Sequence, residues 1–153
     1  MSRALYTVAS QPAAIALAAA TAKSVCGVSG GADFGLQLCK YRITFDGVTA
    51  SAIPVFVEIV SFTGVPTATA QTPIQDQGKV MAATNMPGFV NATVEPTGVI
   101  SLDSFDVTPN SSTLVYDAQY GDEFDVGFSS GFAIRCTAPA IVNFRGSLTV
   151  SRI

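Results

Sequence analysis

FDGVTASAIPVFVEIVSF, residues 45–62, decides the fold. Asp46-Gly47 is a turn dipeptide, and the Val, Ile and Phe that follow it are β-branched or aromatic residues that suit a pleated surface. From Ile53 to Phe62 the run is apolar on both parities except at Glu58 and Ser61. A half-exposed strand would alternate. This one predicts a central strand covered on two faces, with a second subunit as one of the covers.

Upstream, Phe34, Leu36 and Leu38 alternate, and Tyr41, Ile43 and Phe45 alternate on the opposite parity. A bulge near Cys39-Lys40 would return both sets to one face. Gly27 to Asp33 (GVSGGAD) has the composition of a turn. In Ala13 to Lys23 the Ser10 cap, Pro12 and seven alanines suit a helix, whereas Ile15 and Leu17, two apart with Thr21 beyond, suit a strand and its exit. We read it as strand. Leu5 to Ala9 is a short first strand.

Downstream, Gly64 to Gly78 (GVPTATAQTPIQDQG) carries two prolines and three threonines and almost no large apolar side chain, so it reads as a long loop and a contact arm. Short strands are expected at Lys79 to Ala83, Phe89 to Val94, Val99 to Leu102, Thr113 to Asp117 and Glu123 to Phe128. Pro87-Gly88, Pro96-Thr97-Gly98, Pro109-Asn110 and Tyr120-Gly121 punctuate them. The chain closes on Phe132, Ile134 and Cys136, a break at Pro139, and a long strand with Val142, Phe144, Leu148 and Val150 on one parity. Nine or ten strands with turns at this spacing predict an all-β protein, one antiparallel β-sandwich of the jelly-roll type over residues 1–153.

Composition narrows the function. Charged residues are 12% of the chain against 48% hydrophobic, so part of the surface is expected to meet another protein, as in a homo-oligomer. The net charge of −3 argues against a nucleic-acid backbone binder. From Val80 to Ile134 there are seven acids and no base, and all eight bases lie elsewhere. Such a division lets an acidic edge of one subunit meet a basic edge of another, although a solvated face is the plainer reading. No run approaches the ~20 apolar residues of a membrane span. The apolar run Ala13 to Ala22 is a poor signal peptide, since a single base, Arg3, precedes it.

Candidate chemistry is sparse. The chain has no histidine and no tryptophan, which removes the commonest general base and metal ligand. G-x-S-x-G occurs at Gly27 to Gly31 and at Gly127 to Gly131, but a hydrolase elbow needs a histidine and a following helix, so both read as turns. Cys26, Cys39 and Cys136 are not in a C-x-x-C and read as free thiols, Cys136 on a buried strand face; a Cys26–Cys39 bridge would mark an exported protein. Asp117, Asp122, Glu123 and Asp125 crowd around Gly121, where hard oxygen ligands can hold calcium, yet the D-x-D-x-D-G spacing is missing and a solvated acidic turn is favoured. Asn91-Ala-Thr93 and Asn110-Ser-Ser112 match the glycosylation pattern. No catalytic, cofactor or metal site follows from these residues, and the chain is not expected to be an enzyme.

Several phrases carry a resemblance: IALAAATAKSV (15–25), FDGVTASAIPVFVE (45–58), VEPTG (94–98), a proline at 109 and GFAIRCTAPAIVN (131–143). They resemble the small all-β virion proteins of tailed bacteriophages, the capsid decoration or minor head proteins. The resemblance implies a structural role on the capsid surface, the major capsid protein as partner, and a homotrimer. The alternative within the same fold is a receptor- or glycan-binding module of a tail or fibre, which requires exposed loop aromatics. Phe62, Phe89 and Tyr120 are the candidates.

Overall fold

The segments rich in Val, Ile and Phe form strands, the alanine-rich run at 13–22 is strand only at Ile15–Leu17 and again from Ala22, and the strands make two sheets. A computed structural model describes residues 4–10, 13–48, 53–76, 85–110 and 112–153. One sheet holds β1 (Leu5–Ala9), β2 (Ile15–Leu17), β4 (Leu36–Phe45), β7 (Ile74–Gln75), β10 (Thr113–Asp117), β11 (Phe124–Val126) and β13 (Val142–Arg152). Its order is β10-β4-β13-β1-β7, with β11 on β4 and β2 on β13. The other holds β3 (Ala22–Ser29), β5 (Val55–Phe62), β6 (Thr67–Ala70), β8 (Gly88–Val94), β9 (Ile100–Val107) and β12 (Gly131–Thr137), in the order β6-β8-β3-β12-β5-β9.

The antiparallel pairs β1·β13, β3·β12, β4·β10 and β5·β9 nest first with last, working inward along the chain. A long hairpin rolled over itself gives these rungs, so the sandwich is a jelly roll. Its interior is the meeting of the two inner faces: Leu36, Leu38 and Ile43 from β4 and Phe144, Leu148 and Val150 from β13 face Val57, Ile59, Phe132 and Ile134, all fully buried. Phe45 and Phe144 meet edge to face at 6.0 Å. Burial of each such side chain contributes about 1.5–3 kcal/mol.

The parity change in β4 is a bulge. Thr149 lies opposite Lys40 and Val150 opposite Leu38, which leaves Cys39 as the extra residue. Leu36 and Leu38 on one side of it, and Tyr41, Ile43 and Phe45 on the other, therefore share the core face. A second bulge sits at Val25 in β3, where Ile134 pairs with Cys26 and Arg135 with Ser24. Glu95 accepts hydrogen bonds there from the Ser24 amide at 2.8 Å and the Ser24 hydroxyl at 2.5 Å.

The doubly apolar β5 is covered on both faces for half its length, and its own chain supplies the second cover. Val55, Val57 and Ile59 face the core, whereas Val60 and Phe62 join Phe89, Ala92 and Ala133 in a small outer cluster flanked by Ala68 and Val99. Glycines make that cluster possible. Phe62 lies opposite Gly131 and Phe89 opposite Gly27, and a Cβ on either glycine would stand 2.4 Å from the facing ring. The two rings meet edge to face at 5.9 Å.

Three expectations are corrected. The segment from Gly64 to Gly78 is no plain loop: β6 pairs with β8 at the edge of one sheet and β7 pairs with β1 at the edge of the other, so it crosses the sandwich. Thr67 and Thr69 supply β-prone residues without the large apolar side chains that mark a buried strand. The turn expected at Gly27 begins later, because Gly27, Val28 and Ser29 are paired with β12. Among the described residues thirteen strands form rather than nine or ten; β3, β6 and β7 were not expected, whereas β2 and β11 fall within the strands read at Ala13 to Lys23 and Glu123 to Phe128. The strand expected at Lys79 to Ala83 lies outside the described residues.

Candidate functional site

Rolling the hairpin gathers alternate connections at one end. Those after β2, β4, β9 and β12 meet there, with parallel bridges Ala19 to Ala138 and Gly47 to Asn110 holding them together. Between them lies a groove of about 430 Å³ lined by Val48, Ile53, Pro109, Pro139, Ala140 and Ile141, among others. Val48 is 90% exposed, Ile53 70% and Ile141 83%, so branched apolar side chains stand in water around its rim. Ile141 also borders a second depression, of about 640 Å³, against Ala16, Leu17 and Ala92.

The groove is shaped by residues that hold its backbone. Gly47 lies against Pro109, and a Cβ there would come within 2.5 Å of the Pro109 carbonyl. Asp46 supplies the titratable group of the lining, and its carboxylate is engaged: the Asn143 amide donates to Oδ1 at 2.8 Å and Asn143 Nδ2 to Oδ2 at 2.7 Å. Those hydrogen bonds, with a smaller contribution from Arg145, hold the carboxyl below its ordinary pKa. Asp46 therefore latches the end of β4 to the start of β13. What remains accessible is an apolar rim suited to a partner's side chains, and among the described residues the groove lining includes no serine, cysteine or basic side chain.

The motifs singled out earlier are placed differently. Both G-x-S-x-G segments lie side by side, since Gly131 pairs with Ser29 and the Ser129 amide donates to the Gly31 carbonyl at 2.9 Å. Ser29 is buried with its hydroxyl directed at the Gly30 carbonyl, and Ser129 sits in a turn with φ 54°. Their glycines serve as seats for Phe62 and Phe89. Asp117 pairs with Lys40 at 3.2 Å and Glu123 accepts the Gly121 amide at 2.6 Å, and among the described residues no three acids or cysteines converge on a metal position.

No disulfide joins the cysteines. Cys26 and Cys39 are on different sheets, with Cys26 Sγ donating to the Val8 carbonyl and Cys39 Sγ to the Gln37 carbonyl, each at 3.4 Å. Desolvation pushes the Cys26 thiol up to about 12 and raises Cys136 as well. Asn91 sits in β8 with φ 54° and its Oδ1 buried, a poor presentation for a glycan. Of the three candidate binding aromatics, Phe62 is 1% and Phe89 5% exposed, and Tyr120 alone, at 94%, is presented to solvent. The groove itself was missed in the sequence because its lining comes from four separate connections, although the exposed-apolar excess pointed to some such surface. Comparison with protein-family models, curated proteins and solved structures finds no match.

Proposed function

We propose that this chain is a structural component of a virion, a decoration or minor head protein that binds the assembled capsid of a tailed bacteriophage and stabilises it. The observation that carries the reading is the apolar groove at one end of the sandwich, rimmed by Val48, Ile53 and Ile141. A fold of this type hosts many functions, so the surface has to make the case. Three of the phrases that resemble phage head proteins, 45–58, the proline at 109 and 131–143, converge on this groove. Its chemistry suits protein contact: apolar area at the centre, with the one carboxylate already satisfied at its edge.

In this reading the groove takes an apolar segment of the major capsid protein, and the chain acts on the capsid as a homotrimer. A protein that binds the lattice but not free subunits favours the lattice by mass action, about 2.7 kcal/mol per site at a hundredfold excess over Kd. The test is co-sedimentation. Purified protein is mixed with capsids assembled without it, and the pelleted capsids are heated. Stoichiometric co-pelleting and a raised capsid melting temperature are expected; no co-pelleting and an unmoved melting temperature would reject the reading.

A further inference from the structure

Two arginines on the outer face of the seven-stranded sheet form no ion pair among the described residues. Arg42 on β4 lies opposite Ser147 of β13, and Arg145 of β13 lies opposite Thr44, so the two bases are diagonal neighbours across one strand pair. Both are exposed, and among the described residues neither forms a salt bridge or a side-chain hydrogen bond. Between them is a recess of about 230 Å³ whose other polar groups include Ser10, Thr44 and Ser147. Asp46, the carboxylate that feels Arg145, is already held by Asn143. Like charges at this spacing repel; Ser10 is engaged with the Gly146 backbone and Thr44 with the Thr113 hydroxyl at 3.3 Å, so the two guanidiniums and the Ser147 hydroxyl are the donors for an incoming carboxylate.

The same chain carries a complementary projection. β10 and β11 both pair with one edge of β4, so the connection between them stands out sideways at Ala118 to Glu123. That tip is internally braced: the Asp122 amide donates to the Gln119 carbonyl at 3.0 Å, Glu123 Oε2 accepts the Gly121 amide at 2.6 Å, and Gly121 takes φ 98°. Tyr120 and Asp122 are thereby held out in water, with Asp125 exposed on the strand that follows. The tip leaves β10 beyond the Asp117–Lys40 pair, toward the Leu38 side of β4, whereas the recess centres on Thr44, toward its Phe45 end.

We propose that the Ala118–Glu123 tip of one copy docks on the Arg42–Arg145 recess of a second copy, with Asp122 between the guanidiniums and the Tyr120 ring stacked on one of them. Arginine pairs with carboxylate through directed hydrogen bonds and lies flat on aromatic rings, so one tip satisfies both preferences. The contact joins different surfaces of the two copies and is heterologous, so repeating it closes a ring or extends a chain. It deepens the oligomer part of the reading above and leaves the capsid part untouched.

Light scattering coupled to size exclusion, on the full chain at low and high salt, reads the contact. The protein is expected to associate at low salt and to dissociate as ionic strength shortens the reach of the charges, with Kd rising about tenfold or more. R42E/R145E and D122R/D125R are each expected to be monomeric at low salt, and their mixture to associate. A monomeric parent protein, an association indifferent to R42E/R145E, or a folded pair of variants that does not recombine would overturn the proposal. If R42E/R145E fails to fold, R42Q/R145Q, which removes the charge alone, decides by the same readout. A monomer that still co-sediments with capsids would overturn this contact and leave the groove reading standing.

Discussion

At Gly27 and Gly131 the missing side chains are filled by phenyl rings from the neighbouring strands. Gly27→Ala would place its methyl group 2.4 Å from the Phe89 ring, so the ring and β8 have to shift. Overpacking of this kind costs about 1–3 kcal/mol. Chemical denaturation should show that loss for G27A, and a smaller increment when G27A is made in an F89A background, because the ring clash is then absent and only the Phe132 carbonyl, at 2.8 Å, is still met. Equal increments in both backgrounds would contradict the seat. The sequence displayed these glycines within G-x-S-x-G patterns, where they read as turn residues; that each faces a phenylalanine depends on strand register, which one strand alone does not reveal. Titration supplies a second prediction at this scale. Burial lifts the Cys26 thiol from 9.0 to about 12 and raises the Tyr41 hydroxyl, which is also hydrogen-bonded to Asp103, above 10.0. The folded chain thus keeps protons that the unfolded chain releases, so stability is level below the unfolded values and falls as pH rises through that window. The urea midpoint should drop between about pH 8 and about pH 11; a flat midpoint would mean that these groups are not buried as described.

Strand β4 shows how an element can be legible down to its irregularity. Leu36 and Leu38 on one parity and Tyr41, Ile43 and Phe45 on the other require one extra residue if all are to reach the core, and Cys39 is that residue. Deleting Cys39 leaves the same side chains facing inward on an unbulged strand, whereas deleting Arg42 turns either Tyr41 or Ile43 and Phe45 outward. Thermal melting should therefore find ΔCys39 folded and less damaged than ΔArg42. The reverse order would contradict the bulge. β9 was less legible. Its expected end at Leu102 falls short because Asp103 interrupts the apolar pattern, yet Asp103 points inward to accept a hydrogen bond from Tyr41 at 3.2 Å and the strand runs on to Val107. An inward acid and a bulge at Leu102 on an edge strand are also protections against unwanted pairing. β6 and β7 were illegible for a different reason: four and two residues long, they are strands because an edge is available to pair with, and the Thr and Ala of β6 and the Ile-Gln pair of β7 carry little pattern of their own.

For the whole molecule, alternation and turn spacing sufficed for an antiparallel sandwich, and the nesting of β1 with β13 and β3 with β12 gives it the jelly-roll connection. The candidate site was legible only as a quantity, an apolar content too high for the charge available, because its place depends on which connections share an end. Val48, Ile53 and Ile141 are up to 93 positions apart in sequence, from 48 to 141, and acquire a common purpose only once the hairpin is rolled. If the groove is the attachment surface, an apolar contact should tolerate salt that dissolves the charge-based contact between copies. The direct measurement is a titration of capsids assembled without the protein, using the parent chain and V48D/I141D, whose substitutions fall on exposed side chains and should leave the fold intact by circular dichroism. The account predicts saturable binding of the parent chain, little changed by salt, and a loss of about tenfold or more in affinity for V48D/I141D. Equal binding by a folded V48D/I141D would contradict it.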